Sequence, residues 1–94
     1  MAICYLEVKI DLPQSHNLKE KRGIIKSLVS RVSQKFNVSI AEIGFHDYWK
    51  SSLIGIAIVA SDGKIFDPIV ETVISFMEST YPNINLSIEN REIL

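Results

Sequence analysis

The stretch Asn17-Leu-Lys-Glu-Lys-Arg22 begins a helical pattern that decides the fold and carries most of the positive charge of this chain. Asn17 is predicted to cap the helix, and Glu20, three residues later, completes a capping box. Six of the ten Lys and Arg residues lie in this predicted helix against one acid, Glu20, which gives the helix a net charge of +5. The whole chain has a formal net charge of −1. An acidic partner is therefore expected to contact this helix.

Segments with strand periodicity flank the helical pattern. Residues 3–12 alternate, so that one face is apolar, and Pro13 ends this first strand; the apolar face consists of Cys4, Leu6, Val8, Ile10 and Leu12. Apolar residues then recur with helical spacing at positions 18, 25, 28, 29, 32 and 36. Val38–Phe45 is predicted as a second strand, and the apolar run Leu53–Ala60 as a central one.

The last third of the chain predicts a second helix and a final strand. The helix follows Ser61-Asp62-Gly63 and ends near Tyr81, with one apolar stripe formed by Phe66, Val70, Val73 and Met77. Either Asp62 or Asp67 could cap it, and Pro68 favours the later start because proline suits the first helical position. The final strand alternates, with the outward positions Asn85, Ser87, Glu89 and Arg91.

The order β-α-β-β-α-β predicts an α+β protein with a ferredoxin-like sandwich fold. Right-handed crossovers place the first and third strands in the middle of a four-stranded antiparallel sheet, with both helices on one face. The 94 residues are expected to form a single domain, residues 1–94, and the hydrophobic fraction of 47% argues against disorder.

Composition limits the cellular setting. The single cysteine, Cys4, excludes an internal disulfide and fits a reducing cytosol. No apolar run approaches the roughly 18 residues of a membrane span, and charged residues interrupt the N-terminal segment where a secretory signal would lie. We expect a cytoplasmic protein without membrane contact.

The chain resembles the YlxP-like family of small bacterial proteins, a family of unknown function. Several blocks carry the resemblance in the same order: Leu18-Lys-Glu-Lys-Arg22, Lys26-Ser-Leu28 with Arg31, Phe36-Asn-Val-Ser-Ile-Ala-Glu42, and Asp47-Tyr-Trp49 leading into Ile54-Gly-Ile-Ala-Ile-Val59. The resemblance implies a ferredoxin-like fold and a cytoplasmic protein. Members are often encoded among translation and ribosome-maturation genes, which implies an RNA- or ribosome-associated role. Members often carry further basic residues along the first helix, where this chain has Ser30 and Ser33.

The basic residues in the first half of the helix are the strongest candidate site. Lys19, Arg22 and Lys26 form a stripe within about 60° of one another, beside the apolar arc. Such a stripe could contact successive phosphates, and Arg22 could hold one phosphate with two donors. Lys21 lies inside the apolar arc, and its ammonium is expected to extend past the end of the sheet. We predict a nucleic-acid contact formed by Lys19, Lys21, Arg22 and Lys26; the alternative is a solvated helix face.

The segment Phe45-His-Asp-Tyr-Trp-Lys50 is a possible accessory contact through His46, Trp49 and Lys50. For Trp49 a packing role over the edge of the core, or an anchor for a protein contact, is favoured over base stacking. An RNA-recognition-motif mode is disfavoured, because Tyr5 faces the open side of the sheet but the third strand offers only Gly55, Ala57 and Val59 there.

The leading hypothesis is a non-enzymatic accessory protein that binds RNA or a ribosomal particle, as a monomer or weak homodimer, without a cofactor, metal or catalytic residue. One alternative is a small oligomeric regulatory module that binds a metabolite near residues 11–17. A weaker alternative is a metal-dependent nuclease that uses Asp11, the position at which some nucleases of this fold hold a metal ion. A lone carboxylate is a poor magnesium site, so the favoured interpretation of Asp11 is a strand-end residue that faces solvent or pairs with a lysine.

Overall fold

The computed structural model describes residues 1–94 and contains four strands, two α-helices and one short 3₁₀ turn. In chain order these are β1 (Ala2–Asp11), α1 (Leu18–Lys35), β2 (Ser39–Gly44), β3 (Ser51–Ala60), the 3₁₀ turn (Gly63–Ile65), α2 (Phe66–Thr80) and β4 (Asn85–Ile93). All strand pairs are antiparallel, and the order in the sheet is β2-β3-β1-β4. The predicted ferredoxin-like topology is confirmed, with β1 and β3 central and β2 and β4 at the edges.

A single cluster of 15 buried residues joins the two helices to one face of the sheet. Alternation along β1 buries the even-numbered side chains from Cys4 to Ile10, and Leu12 beyond them, as predicted. α1 contributes Ile25, Leu28 and Val32, and α2 contributes the predicted stripe Phe66, Val70, Val73 and Met77. The apolar residues predicted from helical and from strand periodicity therefore pack together in one core.

Asn17 caps α1 as predicted. Its Oδ1 atom accepts a hydrogen bond from the backbone N–H of Glu20 at 2.8 Å. The carboxylate of Glu20 does not return this bond; it lies 3.5 Å from Nδ1 of His16. The capping box is thus half formed, and one of the free N–H groups of the first turn is satisfied by Asn17.

The start of α2 differs from both predicted alternatives. Asp62 caps the 3₁₀ turn that precedes the helix, by accepting a hydrogen bond from the backbone N–H of Lys64 at 2.9 Å. α2 itself begins at Phe66 without a side-chain cap, and Asp67 lies in its first turn. The 3₁₀ turn continues directly into the helix, which removes the need for a second capping residue.

One extra residue in β4 changes which of its side chains face the helices. Val8 pairs with Ile88 and Glu7 pairs with Asn90, so the intervening Glu89 bulges from the ladder. Because strand side chains alternate, one inserted residue moves the following ones to the opposite face. The prediction that Arg91 points outward is therefore wrong: its guanidinium bonds to Asp67 of α2.

Substitutions on opposite faces of β3 test this arrangement. Ile56→Ala is expected to lower the free energy of unfolding by about 3 kcal/mol, because the wild-type side chain is fully buried. Val59→Ala, on a side chain that is 60% exposed, should change it by less than about 0.5 kcal/mol. Urea denaturation followed by circular dichroism measures both values, and equal losses would contradict the assignment of faces.

Candidate nucleic-acid interface

Lys19, Arg22 and Lys26, here called the basic patch, are all exposed on α1. None of the three forms an ion pair within the chain. Arg22 and Lys26 border a groove of about 620 Å³ between α1 and the edge strand β2, which is also lined by apolar side chains of both elements and by Glu42. The basic patch therefore presents three charges that are free to meet an anion.

Lys21 lies elsewhere than the predicted contact requires. Its side chain is fully buried, and its ammonium donates to Oε2 of Glu42 at 2.7 Å. The same ammonium donates to the backbone carbonyls of Phe45 at 2.8 Å and His46 at 3.4 Å. An ammonium has three donors, and each has an acceptor here. The assignment of Lys21 to the nucleic-acid contact is corrected, because no phosphate at the surface can reach it.

Glu42 of β2 completes this buried ion pair. Its Oε2 atom also accepts a hydrogen bond from the hydroxyl of Ser52 on β3, at 2.6 Å. Burial alone would raise the pKa of Glu42, but the hydrogen bonds from Lys21 and Ser52, together with nearby positive charge, hold that pKa below its usual value. Glu42 is therefore ionised at neutral pH and neutralises Lys21.

The ion pair fixes one end of the β2–β3 turn, defined as Phe45–Lys50. Phe45 has a φ of 57°, in the left-handed region that is costly for a bulky side chain. Its carbonyl accepts hydrogen bonds from the backbone N–H of Tyr48 at 3.0 Å and from Lys21. The strained conformation of Phe45 directs its carbonyl towards the interior, and the hydrogen bond from the ammonium of Lys21 stabilises that conformation.

Bonds to the β1–α1 loop fix the other end of the turn. The backbone N–H of Leu12 donates to the carbonyl of Lys50 at 2.9 Å, and Nζ of Lys50 lies 3.3 Å from the carbonyl of Pro13. The turn consequently lies at the end of the sheet where α1 begins. The fold brings the predicted accessory residues His46, Trp49 and Lys50 to the same end of the molecule as the basic patch.

Trp49 does not cover the core. Its side chain is 45% exposed, and it is absent both from the buried cluster and from the partly buried residues that pack on that cluster. The favoured packing role for Trp49 is therefore wrong. Phe45 and Tyr48, which the sequence interpretation did not select, are also exposed beside it, at 38% and 61%.

The open face of the sheet is a poor surface for nucleic acid. The hydroxyl of Tyr5 donates to Oε2 of Glu7 at 2.9 Å. This hydrogen bond, with burial and the charges of Glu7 and Glu92, raises the pKa of Tyr5. Carboxylates beside the one aromatic ring at the centre of this face repel phosphate, which agrees with the disfavoured RNA-recognition-motif mode.

The acidic, histidine and cysteine side chains do not form a metal-binding cluster. Asp11 lies at the end of β1, half exposed, with one carboxylate oxygen 3.8 Å from Nζ of Lys9, which agrees with a strand-end residue that faces solvent or pairs with a lysine. No group of three or more His, Cys, Asp or Glu residues is arranged to hold a metal ion. Cys4 is buried in the core as a free thiol. Neither helix has the length and apolar content needed to cross a bilayer.

Sequence comparison assigns the chain to a family. Residues 3–90 match the family described as "Protein of unknown function (DUF503)". The chain belongs to this family. It is 37% identical over 90 residues to the "Uncharacterized protein YlxP" of Bacillus subtilis (strain 168), an alignment that covers 96% of this chain and 97% of the relative.

Comparison with solved structures supports the fold alone. The chain is similar to the designed ferredoxin-fold protein LFR1 1, with a TM-score of 0.60, 18% identity, and coverage of 96% of this chain and 87% of that one. It is also similar to the designed protein Foldit4, with a TM-score of 0.56, 13% identity, and coverage of 98% and 96%. Both similarities agree with the observed strand order.

Lys21→Met tests the buried ion pair. The substitution keeps an apolar stem but leaves the carboxylate of Glu42 without its cation, so the free energy of unfolding should fall by about 3 kcal/mol. The exposed neighbour provides a control: Lys19→Met should change it by less than about 0.5 kcal/mol. The double variant Lys21→Met/Glu42→Leu should lose less than the sum of its single variants. Equal losses for Lys21→Met and Lys19→Met would contradict the described network.

The lowered pKa of Glu42 predicts a pH dependence of stability. A carboxyl group whose pKa is lower in the folded than in the unfolded state stabilises the fold above its unfolded value, about 4.3 for glutamate. That contribution disappears as the pH falls through the lowered folded pKa. Wild type should therefore exceed Glu42→Gln in stability at neutral pH, and the two should converge in acid. Urea titrations across this range measure the difference, and a gap that stays constant would contradict the prediction.

Proposed function

We propose that this protein is a non-enzymatic accessory factor that binds RNA within a ribosomal particle through the basic patch, with accessory contacts from the β2–β3 turn. The observation that carries the proposal is the set of three exposed, unpaired cations, Lys19, Arg22 and Lys26, on one helix of an otherwise slightly acidic chain. The cations that form ion pairs within the fold, Lys9, Lys21 and Arg91, have acidic partners in the chain. The three cations of the basic patch have none.

The distribution of charge between the helices supports an oriented contact. α2 contains three acids and no Lys or Arg, whereas α1 contains six bases and one acid. Both helices lie on the same side of the sheet, so a polyanion is attracted to one part of that layer and repelled from the other. A phosphate backbone would thus approach along α1 and towards the β2–β3 turn.

The small size of the basic patch favours docking onto a particle over tight binding of free RNA. Three phosphate contacts give modest affinity with a moderate salt dependence. The ribosomal part of the proposal rests on the family resemblance, through the translation genes among which members are often encoded. We further propose a cytoplasmic protein that acts as a monomer or weak homodimer.

Charge reversal tests the role of the patch. The triple variant Lys19→Glu/Arg22→Glu/Lys26→Glu should lose binding to ribosomal subunits and to mixed single-stranded RNA, because the phosphate contacts become repulsive. Wild-type affinity for the RNA should fall roughly 20-fold between 50 and 200 mM salt, as three phosphate contacts to a single strand predict. Fluorescence anisotropy measures the RNA affinity, and co-sedimentation measures binding to subunits.

A charge-matched control separates location from net charge. Arg31→Glu/Lys35→Glu/Lys64→Glu changes the net charge by the same amount at exposed positions outside the basic patch. This control should retain most of the wild-type affinity. If both triple variants lose RNA affinity equally, the loss is explained by net charge and not by the location of the patch. Unchanged binding in the charge-reversed patch variant would refute the role of the patch. A metabolite that raises the thermal stability, with no RNA bound, would support the regulatory-module alternative.

A further inference from the structure

The β2–β3 turn combines exposed aromatic rings with lysine side chains. The ring centroids of Phe45 and Tyr48 lie 5.2 Å apart in an edge-to-face arrangement. Nζ of Lys50 lies 5.5 Å from the ring centroid of Trp49, and Nζ of Lys9 lies 5.8 Å from that of Phe45. Aromatic rings beside cations are the combination with which proteins bind unpaired nucleotides, by stacking bases and neutralising phosphates.

We propose that the β2–β3 turn stacks one or two unpaired bases of the bound RNA on Tyr48 and Trp49, so that the protein selects single-stranded or loop RNA over duplex. The proposal rests on the RNA binding proposed above and names the class of RNA. The basic patch can bind the phosphates of single-stranded and double-stranded RNA alike, whereas an aromatic ring can only stack on a base that is not paired in an RNA duplex. The preference for unpaired RNA is therefore a property of the turn.

The shape and charge of the turn favour a base over a phosphate. Asp47, Tyr48, Trp49 and Lys50 line a shallow cleft of about 340 Å³. The opposite charges of Asp47 and Lys50 offset each other in the cleft, so it offers no excess of positive charge for a phosphate but does offer aromatic surface for an uncharged base. A base in the cleft leaves its phosphates outside, where the cations of the basic patch at the same end of the molecule are available.

The platform is positioned before any ligand arrives. Lys21 binds the carbonyls at the start of the turn, and the bond between Leu12 and Lys50 fixes its end. Trp49 and Tyr48 lie between these two anchors. A turn whose backbone is held at both ends loses less conformational freedom on binding than a mobile loop would, which favours stacking on its exposed rings.

A protein partner fits these observations less well. Tyr and Trp are common at the centre of protein interfaces, but Lys and Asp are depleted there. Here Asp47 and Lys50 flank the two rings, and Lys9 lies over the third. The flanking charges match a base with its phosphates better than an apolar protein surface.

Trp49 itself provides the readout, because it is the only tryptophan in the chain. Its fluorescence should be quenched by an eight-nucleotide single strand and not by an RNA duplex of similar charge. Wild type should bind the single strand about tenfold more tightly than the duplex at the same salt, within the range measured for one stacked base. Anisotropy with labelled strands measures both affinities.

Two substitutions at Trp49 distinguish stacking from general apolar contact. Trp49→Phe keeps a ring and should retain most of the single-strand preference. Trp49→Leu keeps apolar volume without a π face, and should bind the single strand about tenfold more weakly than wild type with duplex affinity unchanged. Urea denaturation of both variants establishes that they fold.

The possible failures are separable. Equal affinities of the Leu and Phe variants, or absence of quenching while RNA is bound, would overturn stacking and leave the basic patch intact. Loss of ribosomal-subunit binding in Trp49→Leu with unchanged binding of free single strands would identify a protein contact instead. No RNA binding by wild type, at low salt, would overturn the proposed function and this inference together.

Discussion

The ammonium of Lys21, buried against Glu42 and two backbone carbonyls, connects the three parts of the candidate interface. An unpaired charge in this position would cost several kcal/mol. That cost is avoided only while β2 supplies the carboxylate and the β2–β3 turn supplies the carbonyls of Phe45 and His46. The placement of Phe45 at positive φ is therefore tied to a residue 24 positions earlier in the chain. Lys21 thus links helix α1 to strand β2 and to the start of the turn, in addition to the strand pairing of β2 with β3 and the bond between Leu12 and Lys50.

This constraint gives the sequence blocks of the family resemblance a physical meaning. Lys21 belongs to the first block and Glu42 to the end of the block that covers β2, and their contact leads into the turn that contains Trp49. Part of what looked like a basic binding motif is thus structural. The remaining exposed cations of the first block, Lys19 and Arg22, lie on the outer side of a helix whose inner side is anchored by Lys21. One short segment can in this way both build the fold and present a charged surface.

Much of the fold could be predicted because periodicity encodes it directly. The alternation around Leu6 and Val8 gave the buried face of β1, and the run around Ile56 gave a central strand. Periodicity failed where one residue breaks the repeat: the bulge at Glu89 turned Arg91 to the other face, and no pattern in β4 marks it. The start of α2 was not predicted correctly because Asp62 caps a 3₁₀ turn that precedes the helix, and the sequence pattern does not distinguish this turn from the first turn of the helix.

The candidate site was only partly predictable. The helical angle of Lys21 placed it in the apolar arc, and Glu42 follows Ile40 by two residues on the same side of β2, but periodicity does not pair residues from different elements. Exposure within a turn follows no period, so the positions of Phe45 and Tyr48 could be read only from the structure. The basic patch was predicted because its three residues are all positively charged and are spaced so that they lie on one face of the helix, which local spacing does encode.

A map of the RNA contact on the isotopically labelled protein tests the proposed interface most directly. Amide chemical shifts recorded during titration with a short single-stranded RNA resolve each residue of a 94-residue chain. The largest changes are expected on the first half of α1, around Lys19, Arg22 and Lys26, and on Tyr48–Lys50, with little change on α2 or around Tyr5 at the centre of the open face. Changes centred on Tyr5 and Ala57 of the open face, or no changes at low salt, would contradict the proposed interface.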